Sequence, residues 1–106
     1  MASIPVLSGF QMFNYETVAA GQTAQVMGTA GAQGDLLQRL IISTITVASA
    51  DVTIIDGSTS IVIQTAAATL VPGVQSVELG LVSASGPWKI TTGAGATVIG
   101  VGLFSV

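Results

Sequence analysis

The chain has 106 residues, a length that suits a single domain, and only 7% of them are charged, against about 25% in typical soluble proteins. Five acidic and two basic side chains give a net charge of −3. Nucleic acids and anionic lipids both require clustered Lys and Arg. The two bases, Arg39 and Lys89, lie far apart in the sequence, so we expect neither a nucleic-acid partner nor a membrane partner.

Histidine and cysteine are absent, which removes the commonest general base, the commonest transition-metal ligand and every disulfide or thiolate. Asp51 and Asp56 flank one short predicted strand, without the oxygen spacing of a calcium loop. Ser85 lies near Lys89 in a pattern typical of an ordinary turn. We therefore predict no enzyme activity, no catalytic residue, no metal site and no cofactor.

Serine and threonine replace the missing charges: the chain contains 10 Ser and 12 Thr. A polar but uncharged surface loses less solvation energy than a charged one when a partner covers it. This composition favours a protein that is buried against partners in an assembly. The alternative is a secreted or surface protein with a coat of hydroxyl groups.

Half of the residues are hydrophobic, yet no stretch has the roughly 20 consecutive apolar residues of a membrane span. The stretch 36–50 contains Gln38 and Arg39, and the stretch 57–77 is broken by polar residues and Pro72. The amino terminus lacks a basic region before an apolar run, so it is no ordinary signal peptide. We expect an intracellular product.

Residues 1–15 contain three of the five aromatic side chains, Phe10, Phe13 and Tyr15, and show no clean period of 2 or 3.6. Two interpretations stay open. The segment is either an N-terminal arm that docks on a neighbouring subunit through these aromatics, or an edge strand folded on its own core. We assign residues 16–106 to one β-sandwich domain.

Gly-rich residues 17–34 predict a loop with one short strand at 23–27, and the strand signals sharpen after that segment. The later segments are rich in β-branched residues or alternate with a period of 2, and turn residues such as Asp56-Gly57 separate them. The predicted strands are 36–47, 52–55, 61–64, 74–82, 88–92 and 96–104. The sequence therefore predicts an all-β protein, an antiparallel β-sandwich that is jelly-roll-like.

Alternation also predicts which side chains face the core. Val77, Leu79 and Leu81 share one side of their strand, and Trp88 is in phase with Ile90, which places Trp88 inside. The alternative for this single tryptophan is an exposed platform for stacking sugars, as in a carbohydrate-binding module.

Charged side chains fall at predicted outward positions. Glu78 precedes and Lys89 follows the same turn, so we expect them to pair across neighbouring strands. Arg39 is an interface candidate, because a guanidinium donates forked hydrogen bonds to a carboxylate or a backbone. Its alternative is a solvated charge at a strand end.

Two segments carry a resemblance to a known family: GDLLQRLIISTITVASADVTIIDGSTSIVI, and VELGLVSASGPWKITTGAGATVIGVGLF. The G-D-L-L strand start, the I-I-D-G hairpin and the run S-G-P-W-K-I-T-T-G-A-G together resemble the small all-β decoration, or cement, proteins of tailed bacteriophage capsids. The resemblance covers about two thirds of the chain.

That resemblance implies a structural virion protein on the outer surface of the capsid, which binds the major capsid protein repeatedly and stabilises the head, often as a homotrimer. Phage tail, baseplate and fibre subunits use similar sandwiches and form the alternative. A carbohydrate-binding module for host attachment is a further one. The resemblance assigns no site residues, so the interface candidates remain Phe10, Phe13, Tyr15 and Arg39.

Overall fold

All strands in the described part of the chain pair in antiparallel fashion. The structure is a computed structural model that describes residues 6–7, 10–11, 13–44, 51–64 and 73–106. In chain order the strands are β1 (Val6–Leu7), β2 (Phe10–Gln11), β3 (Asn14–Val18), β4 (Gln25–Val26), β5 (Leu36–Thr44), β6 (Val52–Asp56), β7 (Thr59–Gln64), β8 (Gly73–Val82), β9 (Trp88–Thr91) and β10 (Ala96–Leu103).

Eight of these strands form two four-stranded sheets that pack face to face. The first sheet has the order β3-β10-β5-β8 and the second has the order β4-β9-β6-β7. The pairs β6–β7, β5–β8, β4–β9 and β3–β10 are nested, as if one long hairpin had been rolled up from its tip. This nesting is the jelly-roll arrangement. The prediction of an all-β, antiparallel, jelly-roll-like sandwich is confirmed.

The tip of the rolled hairpin is the two-residue turn between β6 and β7. Gly57 has a positive φ of 61°, which a glycine adopts without steric cost. The Asp56 carboxylate accepts hydrogen bonds from the backbone N–H groups of Ala84 at 2.8 Å and Ser85 at 2.9 Å. The turn predicted at Asp56-Gly57 is confirmed, and its aspartate also fastens the loop before β9.

The core lies between the two sheets and draws on both of them. Trp88 and Ile90 of β9 are buried, and the Trp88 Nε1–H donates to the backbone oxygen of Asp35 at 3.0 Å. Val77, Leu79 and Leu81 are partly buried against this core. Both predictions of inward side chains are confirmed, and the buried indole is not an exposed platform for sugars.

Asp35 is a buried polar anchor that joins the end of the chain to the start of β5. One carboxylate oxygen accepts from the backbone N–H groups of Ala32 and Ser105, each at 3.0 Å. The other oxygen accepts from the Ser105 hydroxyl at 2.6 Å. Hydrogen bonds to a charged acceptor are each worth about 1.5–3 kcal/mol, so this cluster holds the last residues of the chain in place.

The Gly-rich segment between β3 and β5 is tied down by side chains of other elements. Glu16 accepts from the Gln25 amide at 2.9 Å and from the Gly28 N–H at 2.8 Å. Met27 is fully buried, and a Cβ added at Gly100 would lie 2.5 Å from its Cε. The strand predicted at 23–27 is shortened to β4, because the segment crosses between the sheets there.

One pairing expectation was wrong, for a topological reason. Glu78 and Lys89 do not lie in neighbouring strands: β8 belongs to the first sheet and β9 to the second. The turn at 93–95 also joins strands of different sheets, β9 and β10. In a jelly roll most consecutive strands alternate between sheets, and closeness in sequence then does not give hydrogen-bonded neighbours.

The amino-terminal segment is described in part. Residues 14–18 form β3, the edge strand of the first sheet beside β10. β1 and β2 pair with each other. Residues 1–5, 8–9 and 12 lie outside the described residues, as do 45–47 at the end of the long predicted strand and 65–72 in the predicted connection.

Candidate protein interface

The outer face of the first sheet is set by the alternation of β10. Alternate residues of this strand are buried and face the core, namely Ala96, Val98, Gly100 and Gly102. The residues between them therefore face outward. They are Thr97, Ile99, Val101 and Leu103. Three of these four are large and apolar, although a solvated face of an antiparallel sheet normally carries polar side chains.

Strand register places the outward residues of β5 directly beside those of β10. Ile41 lies opposite Ile99, and Leu36 lies opposite Leu103. None of these four belongs to the buried core or to the partly buried residues packed on it. They form a continuous apolar stripe along the two central strands of the first sheet, on the side away from the core.

Exposed side chains flank this stripe on both edge strands. Tyr15 of β3 is 71% exposed, and Val74 and Val82 of β8 are 73% and 62% exposed. The stripe and its flanks together are called the apolar face below. It consists of Tyr15, Leu36, Ile41, Val74, Val82, Ile99, Val101 and Leu103.

The sequence produces this face by putting small residues inside and large ones outside on β10. Gly100 is inward because Met27 and Ile90 fill the space that its side chain would take. Gly102 is inward at a β-bulge, where an added Cβ would collide with the Leu36 backbone oxygen. The bulk of the strand is therefore carried by its outward residues, which are partly exposed, and apolar patches on a protein surface mark interaction sites.

One ion pair crosses the apolar face. Arg39 Nε lies 3.7 Å from Glu78 Oε1, with the two side chains 40% and 63% exposed. Among the described residues, Arg39 Nε is buried and has no hydrogen-bond partner. At that distance the pair is electrostatic only, and an exposed pair contributes about 0–1 kcal/mol to stability. Since the side chain is partly exposed, the guanidinium can still donate hydrogen bonds to an incoming group.

The structure brings two of the four predicted interface residues together. Tyr15 and Arg39 are both cross-strand partners of Val101, so they flank it in one row across the sheet. Phe13, two residues before Tyr15, is 47% exposed. Phe10 lies in β2, of which only the backbone is described. The alternative interpretation placed Arg39 at a strand end, but Arg39 lies within β5.

Sequence reasoning missed the centre of the face. Ile41, Ile99, Val101 and Leu103 belong to segments that are apolar on both sides, and such a segment does not reveal which side has no core to pack on. A signal was present in β10, where glycines at 100 and 102 alternate with bulky residues. That pattern indicates a strand packed closely on its inner side and covered by something else on its outer side.

The outer face of the second sheet is different. Its central strands present Thr53 and Thr91 opposite each other, and Ile55 opposite Lys89. The outward residues of its edge strands include Ser60, which pairs with Ile55. Apolar side chains occur on this face as well: Val62, opposite Thr53, is 48% exposed, and Val26, opposite Lys89, is 41% exposed. Its paired central residues are nevertheless mostly polar, so its centre serves as an internal reference for the apolar face.

No other chemistry competes with the apolar face within the described ranges. They contain no group of three or more Asp or Glu side chains placed to hold a metal ion. No helix long and apolar enough to cross a membrane occurs in the same part of the chain. Comparisons of the chain with protein-family models, with curated proteins and with solved structures found no match.

Proposed function

We propose that this chain is a capsid decoration, or cement, protein of a tailed bacteriophage, which lies on the outer surface of the virion and binds the major capsid protein lattice. The apolar face is the observation that carries the proposal. Among the described residues, Leu36, Ile41, Ile99 and Leu103 lie outside the core between the sheets and are not packed against it. Burial in a multi-subunit shell supplies a surface for them to pack against.

The mechanism is stabilisation by selective binding. A protein that binds the closed, assembled lattice and not its opened state shifts the equilibrium toward the closed shell, by an amount set by its affinity and concentration. Low charge favours this role, because few ionic groups lose their hydration when the domain is covered. We propose that the protein acts as a homotrimer, so that each bound unit multiplies its weak contacts.

A tail, baseplate or fibre subunit is the second candidate, because the same apolar face suits any repeated assembly. The carbohydrate-binding alternative has lost its main support, since Trp88 is 2% exposed and its Nε1–H is already bonded to Asp35. Position in the virion separates the two structural candidates.

The test is to mix the purified protein with expanded capsids that lack decoration and to examine them by cryo-electron microscopy. We expect regular additional density at symmetry-related positions on the outer surface. Absence of density at saturating protein contradicts the decoration role. Density on tails or fibres of complete virions, with bare capsids, supports the second candidate instead.

A matched pair of variants connects this experiment to the structure. Ile99→Glu places a carboxylate in the centre of the apolar face, and Thr53→Glu places one at a comparable position on the second sheet. We expect Ile99→Glu to abolish capsid occupancy and Thr53→Glu to retain it, with both variants folded by circular dichroism. Equal occupancy by the two variants removes the apolar face from the account.

A further inference from the structure

We propose that the occupant of the apolar face is a second copy of this chain, so that the face is a contact between copies within the assembled shell. The inference goes beyond the proposed function, because it assigns a particular surface to self-association. It rests on the distribution of charge, on the area of the face and on the row of residues that crosses it.

Charge on the face is balanced and self-complementary. Arg39 and Glu78 are cross-strand partners in one row, so each copy presents one positive and one negative group side by side. A partner whose contact surface carries charges of only one sign would place a like charge against either Arg39 or Glu78. A second copy related by a two-fold axis presents Glu78 to Arg39 and Arg39 to Glu78. This contact joins chains in pairs, so it is a different contact from the one that would build the proposed homotrimer.

The remaining acidic groups lie away from the face, which lets two negatively charged chains approach there. Glu16 is engaged with Gln25 and Gly28 on the inner side of β3, and Asp35 is buried. Asp51 and Asp56 precede and end β6 in the second sheet. The apolar face is therefore the part of the first sheet where copies meet without accumulating like charge.

The area is sufficient for a specific contact. Four strands spaced by about 4.8 Å, each about eight residues long at about 3.4 Å per residue, give a face of about 500 Å². Two copies together then bury about 1,000 Å², which is the lower bound expected of a biological interface. The apolar stripe fills the centre and the charged and aromatic groups surround it, as in the core and rim of protein interfaces.

The row Tyr15–Val101–Arg39–Glu78 supplies specificity. Tyr and Arg are the residue types most enriched among interface hot spots, and here they flank one valine. The Arg39 side chain is 40% exposed, so its guanidinium can donate to a carboxylate of the other copy.

A charge-exchange experiment tests this contact directly. Arg39→Glu gives each face two negative groups, and Glu78→Arg gives each face two positive groups. By analytical ultracentrifugation we expect the wild type to sediment as an oligomer and each variant alone to associate at least about tenfold more weakly. An equimolar mixture of the two variants is expected to associate again, because opposite faces now attract. Lys89→Glu, on the second sheet, is the control and is expected to associate like the wild type.

Several outcomes overturn the inference. One is a wild-type monomer at concentrations up to about 100 µM, well above the micromolar dissociation constants of weak specific complexes. Another is a mixture that remains dissociated, and a third is Lys89→Glu being as disruptive as Arg39→Glu. Circular dichroism of each variant separates loss of contact from loss of folding. A self-associating protein that leaves capsids bare contradicts the proposed function alone, whereas capsid binding by a wild-type monomer contradicts the present inference alone.

Discussion

The two outer faces of the sandwich differ in a way that their inner faces do not. Inside, both sheets contribute fully buried aliphatic residues to one core, such as Leu40 from the first sheet and Ile54 from the second. Outside, the paired central strands of the second sheet present Thr53, Thr91, Lys89 and Ile55, whereas those of the first present mainly isoleucine, valine and leucine. Folding of the domain accounts for the inner faces and for the mostly polar centre of the second sheet, but leaves the apolar face unexplained.

The comparison teaches how a nearly uncharged chain divides its hydrophobic residues between folding and assembly. The same alternation that buries Val98 against the core turns Ile99 outward. Because the sandwich holds its core without Ile99, that side chain is available for contact with another subunit. Variants on matched positions of the two sheets therefore separate the two uses.

The largest effect is expected on the free energy of unfolding, from substitutions in the core to which both sheets contribute. Leu40→Ala and Ile54→Ala each remove a fully buried side chain, one from each sheet, and leave a cavity. Each is expected to lower the free energy of unfolding by about 2–5 kcal/mol. Chemical denaturation measures this. A loss of less than about 1 kcal/mol for one of them alone means that its sheet does not contribute to a shared core.

A smaller effect on free energy is expected when the centre of the apolar face is made to resemble the centre of the second sheet's outer face. The double variant Ile41→Thr, Ile99→Thr reproduces the pairing of Thr53 with Thr91. Its free energy of unfolding is expected to change by less than about 1 kcal/mol, because these side chains do not pack on the core. Association is expected to weaken by about 2–4 kcal/mol, since each copy loses two isoleucines from the contact.

The reverse exchange is its control. Thr53→Ile, Thr91→Ile gives the second sheet an apolar pair of the same composition, and it also removes the hydrogen bond from the Ala24 N–H to the Thr91 hydroxyl. Sedimentation velocity is expected to show the same specific oligomer as the wild type, together with lower solubility. If the threonine pair on the first sheet leaves association intact, hydrophobic contact there is not what joins the copies.

The smallest effect on association is expected from replacing the two basic side chains, Arg39 and Lys89, which lie on opposite outer faces. Arg39→Ala removes the ion pair with Glu78 and is expected to weaken association by about tenfold, or about 1.4 kcal/mol. Lys89→Ala is expected to change it by less than about twofold. Isothermal dilution calorimetry resolves both values. Equal effects of the two substitutions indicate a general influence of net charge and no particular role for the face.

Much of the fold could be predicted from the sequence, because its strongest signals are local. Asp56-Gly57 specifies the β6–β7 turn through the positive φ of its glycine, and Trp88 with Ile90 specifies the inner face of β9 through alternation. For residues 1–15 the sequence leaves two interpretations open, a docking arm and an edge strand, and the last two of these residues lie in β3. Its inward positions Asn14 and Glu16 are polar, since they bond to backbone groups at the rim of the core.

The candidate site was harder to predict, because it depends on which strands lie side by side. Tyr15 and Arg39 are 24 positions apart and meet only through Val101, which comes much later in the chain. The expected partner of Glu78 was Lys89, on the assumption that strands joined by a short turn pair. The observed partner is Arg39, because the jelly roll nests its strand pairs.

The central claim is that the apolar face is covered in the assembled protein while the opposite face is not, and the absence of cysteine makes it directly measurable. Val101→Cys and Thr53→Cys each introduce a single thiol, one at an outward central position of each sheet. We predict that alkylation of Cys at position 101 slows by at least about tenfold between dilute and concentrated protein, whereas the thiol at position 53 reacts at an unchanged rate. Equal rates at the two positions, at concentrations where the oligomer is formed, contradict the account.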